Sequence, residues 1–303
     1  MRVFLAGASG AIGRPLVRQL VERGHEVVGM TRSNAEAIET MGAHAVLADA
    51  FDGEAVRSAV EEAQPDVVVN ELTDLAKPLN PRKFEEWLAG TNRLRRDGTR
   101  NLADAAAAAG VQKFISQSVA FAYKFELGTK TEDSPIRGSA AGEMGSAMEE
   151  LERVTLAATG GIVLRYGYFY GPGTAYARDG QQIEMIRRRQ LPVIGDGMGC
   201  FPFIHVEDAA AATVAAIESG APGIYNVVDD EPAPVREYVP FLADLVGAKK
   251  PWRVPAWLAR LVAGRVVGFA TRLQPVSNAK AKQELGWQPR YSSWREGFQA
   301  ELG

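Results

Sequence analysis

The chain has 303 residues, a formal net charge of −3 and 46% hydrophobic residues, a composition that excludes an intrinsically disordered protein. Its mildly acidic balance provides no basic surface for nucleic acid. The single cysteine, Cys200, excludes an internal disulfide framework and fits a reducing, cytoplasmic compartment, and three scattered histidines argue against a His/Cys metal site.

The first 166 residues alternate short apolar runs with helical patterns. Apolar runs of this kind are typical of parallel strands buried on both faces of a sheet. The predicted strands are Arg2–Ala6, Glu26–Met30, Ala43–Leu47, Asp66–Asn70, Lys113–Gln117 and Gly161–Tyr166. An apolar stripe of Ile12, Leu16, Leu20 and Val21 predicts the first helix, and another helix is predicted over about 91–109. This order predicts an α/β fold with a doubly wound, Rossmann-like parallel sheet.

After Tyr166 glycine and proline become frequent, which indicates a more irregular lobe. Helices are predicted near 207–219, 235–246, 255–270 and 277–285. We therefore expect a dinucleotide-binding domain over 1–166 and a smaller mixed α/β substrate lobe over 167–303, with some exchange of sheet between them.

No uncharged apolar run approaches the roughly 18 residues of a membrane span. The stretch 254–271 comes nearest, but Arg260 and Arg265 interrupt it. A helix packed on the second lobe is the preferred interpretation, and a helix lying on a membrane surface is the alternative. The apolar run Val3–Ala6 is too short for a signal-peptide core. We expect no stable membrane insertion.

A glycine-rich segment, G-A-S-G-A-I-G at 7–13, follows the first predicted strand and begins the first helix. Glycines at this turn let the backbone approach a diphosphate, and the free N–H groups of the helix start attract that anion. At the first β-to-α turn of an alternating chain, this pattern predicts a dinucleotide site. The residues predicted to bind are Gly7, Ala8, Ser9, Gly10, Ala11, Ile12 and Gly13.

The second predicted strand is followed by Thr31 and Arg32, where an NAD-preferring site usually places an acidic residue. A guanidinium can hold a 2′-phosphate that a carboxylate would repel, so we predict NADP as cofactor, with NAD less favoured. Asp49, after the third strand, is predicted to accept a hydrogen bond from the adenine amino group, or else to cap the next helix. Ala50 and Leu72 complete the predicted cofactor contacts.

Several segments together make the chain resemble the extended short-chain dehydrogenase/reductase family, the NAD-dependent epimerase/dehydratase group, over nearly its whole length. Beyond the glycine loop, the motifs are D-G-T-R-N-L at 97–102, K-F-I-S-Q-S at 113–118, L-R-Y-G-Y-F-Y-G-P-G at 164–173, F-I-H-V-E-D-A-A at 203–210 and L-G-W-Q-P at 285–289. The resemblance implies a small-molecule substrate in the cleft between the lobes. It also implies a homodimer formed through helices near 84–108 and 141–160.

In that family a Tyr-x-x-x-Lys pair on one helix, with a Ser or Thr after the fifth strand, performs proton transfer. Aligned on the flanking motifs, the tyrosine and lysine positions fall on Met144 and Met148, and the serine position on Val119. Thioether and isopropyl groups cannot exchange protons, so the resemblance implies an atypical active site. The acidic residues of this helix, Glu143, Glu149, Glu150 and Glu152, are predicted to lie on its outer face.

Three interpretations remain open. In the first, the protein is an NADP(H)-binding oxidoreductase for a small carbonyl or alcohol, with Tyr123 as proton donor beside Ser118. Lys124, Tyr166 and Tyr168 are further candidates for that proton. In the second, the protein is an epimerase, isomerase or other enzyme without net redox chemistry. In the third, it is a cofactor-binding sensor without turnover.

Overall fold

The computed structural model describes residues 1–75, 83–263 and 266–303. Its strands are β1 Arg2–Ala6, β2 Glu26–Thr31, β3 His44–Leu47, β4 Val67–Asn70, β5 Lys113–Val119, β6 Ile162–Tyr166, β7 Tyr168–Tyr170, β8 Val193–Ile194, β9 Cys200–Phe201, β10 Phe203–His205, β11 Gly223–Val227, β12 Ala233–Pro234 and β13 Arg253–Val254. Its α-helices are α1 Gly13–Glu22, α2 Ala35–Glu39, α3 Gly53–Ala63, α4 Phe84–Arg93, α5 Thr99–Ala108, α6 Glu143–Ala157, α7 Gln181–Arg187, α8 Val206–Ser219, α9 Val235–Leu245, α10 Ala256–Ala263, α11 Val266–Arg272, α12 Ala279–Glu284 and α13 Trp294–Leu302.

Seven parallel strands form the central sheet in the order β11-β6-β5-β4-β1-β2-β3. Both faces are covered, as β1 illustrates: Val3 and Leu5 pack towards α1 and α8, whereas Phe4 and Ala6 pack towards α3 and α5. This burial on two sides explains the continuous apolar runs. The doubly wound Rossmann-like α/β fold predicted from the sequence is confirmed. The strand order reverses between β1 and β4, where such sheets bind ligands at the carboxyl ends of their strands.

The second half of the chain contributes to both lobes. β11 pairs with β6 in the central sheet, and α8 packs against α1. A separate core, which includes Tyr170, Phe203, Tyr238 and Phe298, supports the smaller lobe. The boundary at 166/167 stays a prediction, since β11 and α8 cross it.

Two predicted helices differ from the observed ones. The segment over 91–109 begins earlier, because α4 and α5 join through a π-helical turn at Leu94–Gly98. The helix over 255–270 is two helices, α10 and α11, and residues 264 and 265 between them lie outside the described residues. In the described parts of the chain, no helix has the length and apolarity needed to cross a bilayer.

Candidate functional site

The glycine loop is held in a conformation that only glycine permits. Gly7 has φ +93°, and a Cβ there would lie 2.7 Å from the Glu71 carbonyl oxygen. A Cβ on Gly13 would lie 2.2 Å from the Gly7 carbonyl oxygen. The loop is therefore packed backbone against backbone between the ends of β1 and β4, at the reversal point of the sheet.

The start of α1 provides a site for an anion. No side chain caps this helix at Ile12. The Arg14 N–H already donates to the Gly10 carbonyl oxygen and Pro15 has no N–H, so the helix dipole and the Gly13 N–H are what the first turn offers a ligand. The Arg14 side chain donates from Nε to the Ser9 carbonyl oxygen at 3.0 Å and so places a positive charge on the loop. Donors of this type at a tight glycine turn fit a diphosphate.

The end of β2 offers hydroxyl groups and a cation. Thr31 is buried, and its Oγ1 lies 3.3 Å from Ser9 Oγ and accepts from the Asn34 N–H at 3.4 Å. Arg32 is exposed, and within the described ranges its guanidinium has no hydrogen bond or ion pair. An unpaired guanidinium is free to bind a phosphate.

The segment after β3 forms the wall beside this end of the loop. Asp49 Oδ1 accepts from the Phe51 N–H at 3.0 Å, whereas α3 is capped by Asp52, whose Oδ1 accepts from the Ala55 N–H. The alternative in which Asp49 caps the next helix is therefore wrong, because Asp52 occupies that position. Ala50 and Leu72 lie against Gly98, where a Cβ would be within 3.7 Å of both side chains.

A buried ion pair lies behind the ends of β5 and β6. Arg165 donates to Glu152 from Nε at 2.9 Å and from Nη2 at 2.7 Å, a bidentate pair with both side chains less than a tenth exposed. Burial lowers the pKa of Arg165, but Glu152 raises it further, and the net direction is upward. The Ser118 hydroxyl donates to the same carboxylate at 2.7 Å. Ser118 is thus hydrogen-bonded to a charged group in the protein interior.

Tyr123 belongs to the same network. Its hydroxyl donates to Asn226 Oδ1 at 2.6 Å and accepts from Arg165 Nη1 at 3.0 Å, and the side chain is 4% exposed. Burial raises the pKa of Tyr123 despite the nearby guanidinium. The catalytic assignment of Tyr123 and Ser118 stays a prediction, and both hydroxyls already have protein partners.

Met144 and Met148 lie one turn apart on the buried face of α6. They pack with Leu88, Ala122 and other apolar groups and are 9% and 1% exposed. Glu152 follows Met148 by four residues and is buried on the same face. The prediction that Glu152 lies on the outer face of α6 is wrong, because i+4 spacing from Met148 turns it inward. That spacing was a signal that Glu152 is buried.

Two further buried ionisable groups were not found from the sequence. Arg95 lies in the π-helical turn, and burial lowers its pKa to about 10 although Glu152 opposes the shift. Glu71 directly follows β4 beside Gly7. One of its oxygens accepts from the Tyr166 hydroxyl at 3.1 Å, and the other has no partner among the described groups. Burial raises the pKa of Glu71 to about 8, so it is protonated at neutral pH.

A family model described as the NAD dependent epimerase/dehydratase family matches residues 3–227. The chain is 42% identical to the 3-diazoavenalumate denitrifying reductase of a Streptomyces species, over 99% of this chain and 100% of that protein. It is also 27% identical to the 2-alkyl-3-oxoalkanoate reductase of Stenotrophomonas maltophilia, over 94% and 87% of the two chains. The chain belongs to the NAD-dependent epimerase/dehydratase family.

Solved structures with the same fold come from this family. The dTDP-glucose 4,6-dehydratase of Streptomyces venezuelae, with NAD bound, superimposes with a TM-score of 0.80 at 20% identity and covers 100% of this chain and 96% of its own. The UDP-glucose 4-epimerase of Thermus thermophilus, also with NAD, gives 0.77 at 23% identity and covers 100% and 98%. At these identities the likeness shows the fold alone. That Met144 and Met148 stand at the positions of the family's Tyr-x-x-x-Lys pair stays a prediction.

Proposed function

We propose that this protein is a reductase that uses a nicotinamide dinucleotide, with NADPH preferred over NADH. The observation that carries the proposal is the glycine cradle, in which Gly7 and Gly13 leave no room for a Cβ and the uncapped start of α1 is open to an anion. The bound dinucleotide would supply a hydride. The named activities of the two curated relatives, both reductases, support this direction of reaction.

The preference for NADPH depends on Arg32. Its guanidinium is exposed and without a partner in the described chain, and Thr31 before it has no negative charge. A 2′-phosphate would gain a charge-assisted, paired hydrogen bond there. Ser9 and Arg14 lie at the same end of the loop and add a hydroxyl group and a second positive charge.

Titration of the purified protein with NADPH and NADH, followed by fluorescence, tests this preference. Arg32→Asp should reduce the NADPH-to-NADH affinity ratio by roughly tenfold or more, the size expected for one charged hydrogen-bonded contact. The matched control is Arg260→Asp on α10, an exposed arginine of the other lobe. An unchanged ratio in Arg32→Asp would remove Arg32 from the site, and no binding of either dinucleotide would overturn the whole proposal.

The apolar face of α6 bears on the substrate class. Reduction of a carbonyl to an alcohol needs one hydride and one proton. Replacement of a diazonium group by hydrogen needs the hydride alone: a C–H bond forms, the C–N bond breaks, and its electron pair leaves with N₂. Met144 and Met148 cannot give a proton, and the Tyr123 hydroxyl is held by Asn226. An electrophilic diazonium carbon fits this site best, and the name of the Streptomyces relative describes the denitrifying reduction of a diazo compound.

Transfer of deuterium from labelled NADPH to the substrate tests diazonium reduction directly. With deuterium at the transferred position of NADPH and an arenediazonium salt as substrate, we expect an arene with deuterium at the former C–N carbon and one N₂ for each NADPH consumed. NADPH consumption without that label would reject diazonium reduction at this site.

The second candidate function is the reduction of a small carbonyl group, or the reverse reaction, the oxidation of an alcohol. Tyr123, which lies just beyond β5, favours this candidate. In that case Tyr123 would donate the proton and Ser118 would support it. Tyr123→Phe should then abolish ketone reduction but leave diazonium reduction within about twofold. An isomerised product without NADPH loss would indicate an epimerase. Dinucleotide binding without turnover of either arenediazonium salts or ketones would indicate a sensor.

A further inference from the structure

The outer face of α10 exposes large apolar side chains. Trp257 is 67%, Leu258 is 42% and Leu261 is 77% exposed. These three positions share one face of the helix, and Ala259 on the opposite face is buried. Trp252, directly before β13, is 59% exposed. We refer to Trp252, Trp257, Leu258 and Leu261 as the α10 surface. Large apolar side chains grouped on an exposed face mark an interaction site.

The segment that carries the α10 surface has charge of one sign only. Residues 245–283 contain eight lysines and arginines and no acidic residue, although the whole chain has a net charge of −3. Four of these cations are exposed and alternate along the chain with the α10 surface: Lys249, Lys250, Arg253 and Arg260. In the described part of the chain, none of the four side chains has a hydrogen bond or an ion pair. Their charge is therefore left for an anionic partner.

Acidic residues on the neighbouring elements do not neutralise these cations. Glu184 on α7 and Glu237 on α9 are already in ion pairs with other arginines. Asp196, after β8, and Asp244, near the end of α9, are exposed carboxylates outside the segment. Two negative charges beside four positive ones leave this side of the smaller lobe cationic.

Tryptophans next to cations suit the boundary between lipid and water. The Arg189 guanidinium lies 3.8 Å from the centre of the Trp252 ring, and Arg260 follows Trp257 by three residues on α10. Indole rings favour the headgroup level of a bilayer, and guanidinium groups bind the phosphates found there. A second copy of this chain, in a two-fold contact, would instead place these cations against their own equivalents.

We propose that the α10 surface docks this protein on an anionic lipid bilayer, with its apolar side chains among the headgroups and the cations of residues 249–260 on lipid phosphates. The contact is peripheral, because the eight residues of α10 extend only about 12 Å and cannot cross the hydrocarbon core. The inference goes beyond the proposed function and does not depend on it.

Co-sedimentation of the full chain with lipid vesicles tests the proposal. Vesicles of phosphatidylcholine alone are compared with vesicles of equal parts phosphatidylcholine and phosphatidylglycerol. We expect binding to the anionic vesicles to be roughly tenfold or more tighter, to weaken in high salt, and to shift tryptophan emission to shorter wavelength as indole rings leave water. Equal binding to both kinds of vesicle, or binding to neither, would overturn the proposal.

A pair of apolar variants tests whether the α10 surface makes the contact. The double variant Trp257→Ser, Leu261→Ser should weaken binding to anionic vesicles by roughly a hundredfold or more, because two large side chains no longer leave water. The matched control is Leu47→Ser on β3, at the far edge of the central sheet, where the leucine is 64% exposed. Unchanged binding in the double variant, or an equal loss in the control, would contradict docking through α10.

A pair of charge variants tests the preference for anionic lipid. The double variant Arg253→Gln, Arg260→Gln should weaken binding by roughly 25-fold, about fivefold for each cation, and should lower the salt dependence. Arg290→Gln, an exposed change outside the segment, is the control. Sedimentation without lipid covers the remaining occupant. A dimer that the Trp257→Ser, Leu261→Ser variant converts to a monomer would show that this face binds a second copy, and would overturn the lipid assignment.

Discussion

The two ends of the candidate site are built in opposite ways. At the β1 end, the backbone forms the site: glycines pack against neighbouring carbonyl groups, and the start of α1 has no side-chain cap. At the α6 end, side chains form it: Met144 and Met148 present thioethers, and the nearest charges, Glu152 and Arg165, are paired with each other. The first arrangement fits any dinucleotide, whereas under the proposed function the second would determine which substrates can react.

Under the proposed function, this difference would let the fold keep its cofactor while its chemistry changes. A backbone cradle tolerates little substitution, because a Cβ has no room beside a carbonyl oxygen. The buried face of a helix tolerates new side chains of similar volume, provided that each buried polar group keeps a partner. The predictions below perturb one end at a time.

The largest effect on dinucleotide binding is expected at the β1 end, for Gly13→Ala. The new Cβ would lie 2.2 Å from the Gly7 carbonyl oxygen and 2.7 Å from Ala8, so the loop must move and dinucleotide binding should be lost. Overpacking of this kind costs about 1–3 kcal/mol of stability, although alanine is the better helix former. Equilibrium titration and thermal unfolding measure both effects. The control is Gly53→Ala at the start of α3, where the Cβ would meet only the Asn101 side chain at 3.3 Å. Equal affinities in the two variants would contradict the cradle.

At the α6 end, Glu152→Gln should destabilise the fold by roughly 3–5 kcal/mol, because it leaves the Arg165 guanidinium buried without a counter-charge. Gln keeps nearly the same shape, so the loss reports charge rather than packing. The free energy of unfolding from urea titration measures it. A loss below about 1 kcal/mol would show that water reaches this pair.

The β1 end and the α6 end of the candidate site also differ in how much of each could be predicted from the sequence. The glycine loop and Arg32 were placed by local spacing, since the chemistry of a β-to-α turn is contained within a few neighbouring residues. Glu152 was assigned to the wrong face of α6, although its i+4 relation to Met148 was visible. Its partners Arg165 and Ser118 lie 13 and 34 residues away, and the sequence contains no rule that pairs them.

Glu71 was missed for the same reason. Glu71 meets Tyr166 across 95 residues. A single charged residue in a sequence is normally predicted to lie on the surface, because burial is a property of the tertiary packing. Pairing between β5 and β6 was needed before this residue could be recognised.

A pH-dependent effect between the two ends is expected for Glu71→Gln. The folded-state pKa of Glu71, about 8, lies above its value of 4.5 in an unfolded chain. The stability it contributes is complete below pH 4.5 and is lost as pH rises towards 8, at up to about 1.4 kcal/mol per pH unit. Gln cannot ionise, so the variant should lack this slope and exceed the wild type in stability at pH 8. Unfolding free energies from pH 5 to 8 measure it, with exposed Glu62→Gln as the control. Parallel curves for wild type and Glu71→Gln would mean that Glu71 is ionised.

The smallest effect is expected for Glu150→Gln, on the outer face of α6 only two residues from Glu152. Glu150 accepts from Arg153 and Arg100 at 2.8 Å, and these hydrogen bonds lower its pKa to about 2. A carboxylate with a lowered pKa contributes stability above pH 4.5 that is lost as pH falls towards 2. Because both arginines are more than half exposed, solvent screens the pair, and the change should cost less than about 1 kcal/mol at pH 7 and less still in 1 M salt. Urea titrations of Glu150→Gln and Glu152→Gln compare the same substitution on the same helix. Any difference between the two losses of unfolding free energy therefore reports the environment of the side chain. Similar losses in the two variants would show that burial does not separate the faces of α6, and the contrast between the outer charges and the inner network would then have no energetic basis.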